Sequence, residues 1–362
     1  MKKAKFFTPA LWVTVAVTAL SAAVYGAARL FTPFAEWWAK YPSQWVRAFL
    51  AAVTNIIPFS VAEMILLLLL PAVIIYILVT NRFIRGEDKE NYYRCLRPLL
   101  MIVLLLASSF LGVFGPCYFR KGLDENLGLT KAPVTAEELA YTAERLIEEI
   151  TKLDVNIYKD GSTFTDKSYG ETIDDVKAAF KKYCGENQYI SCFNSNPKLI
   201  SLSPVMTYTH ISGLYSFFTG EANINFNYPD FVFPFTVAHE MAHQRGIARE
   251  DEANFVAFLV CTGSDDSYVR YSGYMNVLEY VLSALSKADA ERYKVLVKNT
   301  LTDEIKGELR AFNTFFEKYT DSPASTVVGA INDSYLSSQG QTAGSASYGL
   351  VVDLAVAYYK QK

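Results

Sequence analysis

The chain has 362 residues, of which 51% are hydrophobic and 20% charged, with a formal net charge of −3. A balance so close to neutral excludes the basic footprint of a nucleic-acid binder, and the length suffices for a membrane-embedded part plus one domain of ordinary size. The five cysteines (Cys95, Cys117, Cys184, Cys192 and Cys261) contain no Cys-x-x-Cys pair and so exclude a cysteine-based metal knuckle.

Taken in chain order, Lys2, Lys3 and Lys5 precede an apolar run over 9–31. It is longer than a signal-peptide core and is followed by more membrane-like sequence, so it reads as a first transmembrane helix with the roughly 20 apolar residues a bilayer requires. The stretch 34–58 is amphipathic and carries Trp37, Trp38 and Trp45, which with Trp12 are all the tryptophans of the chain. That placement predicts an aromatic belt at the bilayer surface. A second span is expected over 59–80, kinked at Pro71, with Glu63 solvated near one end, and a third over 99–119. The loop between them holds Arg82, Arg85, Lys89, Arg94 and Arg97. These and the N-terminal lysines belong on the cytoplasmic side, so three crossings place residues 120–362 outside as one extracytoplasmic domain.

In that domain Thr135-x-x-Glu138 predicts a capping box opening a helix through about Leu153, with Leu139, Ala140, Ala143, Leu146 and Ile150 on one face. A second helix is expected over 173–183, after a polar loop. Residues 199–202 and 215–226 read as strands. Helices are expected over 274–286, 289–298 and 302–319, then a flexible Gly/Ser/Gln-rich stretch at 337–347 and a final apolar helix or strand over 348–359. Cys184 and Cys192 stand close enough to close a small loop if their compartment is oxidising.

The chemistry concentrates in His239-Glu240-x-x-His243, which uses two of the three histidines of the chain. On a helix, two histidines four apart lie one turn above each other, so both rings reach one ion. Imidazoles suit Zn2+, a third protein ligand completes the cage, and the open fourth position holds a water that Glu240 deprotonates. Gly246 is a natural helix stop, and a second helix is expected from Glu250. Glu250 and Glu252 diverge by about 200° on that helix, so only one faces the ion. Glu250 is preferred, because Asn254 lies on its face and can hydrogen-bond a ligand histidine; Glu252 stays open as the alternative.

Glu250-x-x-Ala253-Asn254 resembles the Glu-x-x-Ala-Asp ligand segment of membrane zinc peptidases that process prenylated or stress-damaged proteins, with Asn in place of Asp. His239-Glu-x-x-His243-x-x-Gly246 resembles the first part of the metzincin motif, with Arg249 where the third histidine stands. Nearly the whole chain resembles the bacterial membrane-protein family named for domain of unknown function 3810, through residues 218–225, 233–235, 239–255 and 347–353. These resemblances imply an α+β fold, in which a three-helix transmembrane region precedes a mostly helical zincin-like domain with a small β-sheet. In many zinc peptidases an edge strand upstream of the motif pairs with substrate backbone. By that resemblance Ala222 and Asn223 would contact a peptide.

The expected function is a membrane-anchored, zinc-dependent metallohydrolase acting on a peptide or protein, with Glu240 as general base. His210 and Tyr348 are the first candidates for a second oxyanion donor; Arg245 and Arg249 are weaker ones. The rival expectation is a non-catalytic, zinc-stabilised ectodomain that binds an envelope ligand or partner protein. A glutamate base argues against it, because a purely structural site needs no base. Membrane lipid is the other expected partner. An intramembrane site is excluded, because the apolar run around the motif, 231–242, is too short to span. Three spans without an inverted repeat disfavour a transporter.

Overall fold

Three apolar stretches of the sequence form helices long and apolar enough to cross a membrane: Pro9–Leu30, Val61–Arg85 and Glu90–Phe119. The computed structural model describes residues 6–86, 89–153, 155, 165–319, 322–339 and 348–361. The N-terminal lysines, most of the polar loop after Leu153 and residues 340–347 lie outside the described residues. The chain divides into two units, one of Met1–Arg120 with Ser216–Glu221, the other of Lys121–Tyr215 with Ala222–Lys362.

In the first unit, α1 (Pro9–Leu30) starts behind the Thr8 cap, whose hydroxyl accepts the Leu11 N–H, with Pro9 at the first helical position. The short α2 (Thr32–Lys40) and α3 (Pro42–Thr54) follow, then α4 (Val61–Arg85) and α5 (Lys89–Ser109). A π-helical turn, Phe110–Phe114, and a 3-10 turn, Gly115–Phe119, extend α5. Apolar helices lack a hydrophobic force to pair in lipid, so close packing and polar contacts take over. Thr18 and Ser108 hydroxyls meet at 2.9 Å between α1 and α5. The Trp38 indole N–H donates to Gly112 O at 2.7 Å. Of the expected aromatic belt, Trp37 and Trp45 are exposed, whereas this bond turns Trp38 inward. Glu221 belongs to this unit as well. Its two carboxylate oxygens accept the Val61 and Ala62 N–H groups at 3.0 and 2.9 Å, which caps the N-terminus of α4.

The second unit is mostly helical. The Thr135–Glu138 capping box forms and opens α7 (Ala136–Thr151), after the short α6 (Leu123–Leu127). All five residues expected on its apolar face are buried. The helix expected from 173 begins earlier, as α8 (Tyr169–Glu186), because Ser168 and Glu171 form a second capping box. Three short strands follow: β1 (Lys198–Leu199), β2 (Gly213–Ser216) and β3 (Glu221–Ile224), with α9 (Ser203–Met206) after β1. The single strand expected over 215–226 is therefore a hairpin. Gly220, at φ +73°, reverses the chain, and its N–H bonds Ser216 O at 2.7 Å. The sheet order is β1-β3-β2, with β1 parallel to β3 and Lys198 opposite Asn223.

Then come α10 (Val232–Gln244), α11 (Glu250–Thr262), α12 (Ser267–Ala288), α13 (Ala290–Asn299), α14 (Asp303–Glu317), α15 (Pro323–Ser338) and α16 (Tyr348–Gln361). The core joins Leu146, Ile147 and Ile150 of α7 to Leu278, Val281 and Leu285 of α12, and extends through Phe255 and Phe258 of α11 to Val351 and Leu354 of α16. Helices α10 and α11 are buried on nearly every side, which is why neither shows a strongly one-sided apolar pattern. Leu146 has no exposed surface. We expect Leu146→Ala to destabilise this unit by about 2–5 kcal/mol, read as a lowered unfolding midpoint in detergent.

Candidate metal centre

The centre is assembled by two consecutive helices and the turn between them. Helix α10 stops because Gly246 takes a left-handed conformation, at φ +90°, three residues past His243. The Ile247 N–H then bonds Ala242 O at 3.1 Å, and α11 starts at Glu250 after only five linking residues. This tight reversal lays the first turn of α11 over the last turns of α10. Residues 239 and 243, one helical turn apart, then both face the first residue of α11.

The His239 and His243 Nε2 atoms are 2.9 Å apart, and the Glu250 carboxylate lies 3.3 and 3.5 Å from them. Ligand atoms on a tetrahedron with metal bonds of about 2.0–2.1 Å are themselves separated by about 3.3 Å. The three edges bracket that value, so the residues fit a tetrahedral divalent cation. Among the described residues this is the one such group of three ligand side chains. The His243 Nδ1 faces Ile247 O at 2.8 Å, a backbone contact that fixes the ring with Nε2 toward the centre. The bond expected from Asn254 to a ligand histidine is absent there: Ile247 O occupies His243 Nδ1, and His239 Nδ1 is buried without a hydrogen-bond partner.

Glu240 is 3% exposed, and its Oε2 is buried without a partner. Burial pushes its carboxyl pKa up; the histidines and a backbone hydrogen bond from Tyr215 oppose the shift, while Glu250 adds to it. Gly213 of β2 presses against it, so that a Cβ there would stand 2.6 Å from Glu240 Oε1. Glycine is what lets the strand come this close. Two carboxylates and two imidazoles thus sit together, with Glu240 and His243 buried and His239 and Glu250 partly exposed, an arrangement that a bound cation would satisfy.

Charge coupling sets the protonation of the candidate ligands His243 and Glu250. Burial pulls the His243 pKa down, but the charge and hydrogen bond of Glu250, with help from Glu240 and Ile247 O, outweigh it and leave the value at about 9. Burial raises that of Glu250, and both histidines reverse this to well below the usual carboxylate range.

The other candidates are placed elsewhere. Glu252 accepts the Leu123 N–H at 2.9 Å and pairs with Arg249 at 2.7 Å, so its carboxylate is engaged away from the histidines. That pairing also occupies Arg249. Arg245 donates to Phe193 O and Gln244 Oε1, both at 2.9 Å. His210 bonds Tyr319 O at 2.9 Å and rests on the Phe316 ring. The Tyr348 side chain lies outside the described residues. Ala222 and Asn223 are buried in β3, the central strand, where the Asn223 amide donates to Leu214 O at 3.1 Å. The strand at the sheet edge beside Glu240 is β2, which sequence reading missed; the signal was Gly213, a glycine in an otherwise strand-like run.

Metal uptake should depend on pH with a definite sign. His243 must lose its proton to bind an ion, so with a pKa of about 9 protons compete throughout the neutral range. Affinity should rise about tenfold per pH unit up to about pH 9 and level off above it, as measured by competition with a chromophoric chelator.

No curated protein and no solved structure matches the chain. One family model does, over residues 39–356, and its description is "Protein of unknown function (DUF3810)". A match over that much of the sequence, with His239, His243 and Glu250 inside it, means that the chain belongs to the DUF3810 family.

Proposed function

We propose that this protein is a membrane-anchored, zinc-dependent metallohydrolase that cleaves peptide bonds on the extracytoplasmic side of a bacterial membrane. The observation that carries the reading is the buried, unpartnered Oε2 of Glu240 beside three convergent ligand atoms. A structural zinc site usually has four protein ligands and no base. Here three ligand side chains converge, and a carboxylate stands ready next to them. Zinc held by His239, His243 and Glu250 would supply a Lewis acid and a water whose pKa falls from about 15.7 toward 7.

The remaining steps belong to the chain. Glu240 takes the proton of the attacking water and hands it to the leaving amine. The edge strand β2 supports a peptide as substrate: Gly213–Tyr215 runs beside Glu240, so an extended substrate pairing with that strand would have its backbone next to the base. This assigns backbone pairing to β2 in place of Ala222 and Asn223. The Cys184–Cys192 disulfide supports an oxidising, extracytoplasmic compartment, in agreement with the basic residues expected on the other side of the membrane.

Glu240→Gln in the purified full chain should keep one equivalent of zinc and lose about 100-fold or more of its hydrolysis of a peptide mixture. His239→Ala should lose the metal. Undiminished hydrolysis by Glu240→Gln would remove the catalytic reading.

A further inference from the structure

The last turn of α10 is gripped from outside the metal centre. Arg245 follows His243 by two residues, is 3% exposed, and places its guanidinium 4.5 Å from the Phe180 ring centroid and 5.0 Å from that of Phe193. Planar guanidinium groups stack on aromatic faces. The fork is also hydrogen-bonded. Nη2 donates to Phe193 O at 2.9 Å and Ser195 Oγ at 3.2 Å, and Nη1 to Gln244 Oε1 at 2.9 Å and Met241 O at 3.2 Å. Ser195 Oγ donates to Gln244 Oε1 at 2.6 Å, which ties the same segment to the neighbouring residue.

The two aromatic slabs flank the Cys184–Cys192 disulfide, which tethers the segment of one to the helix of the other. Phe180 lies one turn before Cys184 on α8, and Phe193 directly follows Cys192. The bond closes a loop with a sequence separation of 8, and so holds the 193–195 segment near α8. The path from this grip to the metal ligands is short. Arg245 begins the turn that runs through Gly246 to Ile247, and Ile247 O stands 2.8 Å from His243 Nδ1.

We propose that Arg245 is a positioning residue for the metal centre, held in a disulfide-tethered aromatic clamp, so that tight metal loading requires the oxidised Cys184–Cys192 pair. The proposal rests on the metal reading above and adds a redox condition to it. Without the crosslink the Phe193 slab and Ser195 can separate from α8. The turn then loosens, and His243 loses its fixed orientation. In the laboratory, a trialkylphosphine and water cleave the S–S bond to two thiols and leave the phosphine oxide, so no chelating thiol reagent is added, and the Cys184→Ser/Cys192→Ser pair breaks the same crosslink without freeing the two protein thiols.

The test uses the full chain in detergent. Co2+ affinity is measured by chelator competition for the oxidised wild type, the phosphine-reduced wild type, the Cys184→Ser/Cys192→Ser pair, Arg245→Met and the triple variant. Hydrogen exchange at Gly246 and Ile247 is followed in the metal-free forms. Loss of a group that orients a ligand typically weakens metal binding about 10–100-fold. Reduction, the serine pair and Arg245→Met should each weaken affinity by about tenfold or more, and the triple variant by little beyond Arg245→Met alone, since all act through one clamp. Exchange at Gly246 and Ile247 should quicken on reduction. Affinity and exchange unchanged by reduction would overturn the clamp while leaving the metal reading intact, as would losses that multiply. No Co2+ uptake by the oxidised wild type, with exchange that still quickens on reduction, would overturn the metal reading and with it the redox condition on loading. Should Arg245→Met fail to fold, the oxidised and reduced wild type still decide the matter.

Discussion

The second unit is organised around a polar knot at the margin of an apolar interior. His239, Glu240, His243 and Glu250 converge where α10 and α11 meet, at the margin of a core of Phe, Val, Leu and Met side chains, with Glu240 and His243 on its buried side and Glu250 partly exposed. Burying such groups costs free energy unless each finds a partner of opposite charge. The two imidazoles and Glu250 supply that partnership to one another, and Glu240 is left with an oxygen that no side chain or backbone group in the described protein satisfies. A cation with one bound water would complete the set. The surrounding fold reads as the scaffold needed to keep this arrangement from relaxing.

That scaffold acts from three directions. Gly246 ends α10 abruptly enough for α11 to fold back over it, and Ile247 O in the same turn orients His243. On one flank β2 approaches without a side chain at Gly213, so that Glu240 is confined between backbone and imidazole. On another, Arg245 is stacked between Phe180 and Phe193. Each contact acts on a residue within one turn of a candidate ligand. Small changes in any of them would be felt as changes in ligand direction, to which metal sites are sensitive.

Much of this was legible in local sequence because the physics behind it is local. The Thr135–Glu138 box marks a helix start through bonds three residues apart, and Ser168–Glu171 carries the same signal ahead of α8. The His239–His243 spacing puts two rings on one helical face whatever else the fold does. The hairpin at 213–224 was less legible. Alternating and aromatic residues suggested one strand, and the reversal depended on Gly220 taking a positive φ where its missing side chain leaves room for Leu50 and Ala51. The role given to Ala222 and Asn223 followed from treating that segment as an edge, and pairing on both sides makes it the centre.

The sequence by itself determined the apolar spans, the helix carrying the histidine pair, the left-handed stop at Gly246 and the rule that only one of Glu250 and Glu252 can face that pair, because each follows from hydropathy, helical period or backbone freedom within a few residues. The preference for Glu250 rested on an Asn254 bond that does not form. Only the tertiary structure decided that Glu252 is spent on Leu123 and Arg249, that β2 lies against Glu240, and that Cys184 and Cys192 join to carry the walls around Arg245. Those facts depend on which distant segments meet when the core closes, and no local periodicity encodes the partner of a side chain many residues away.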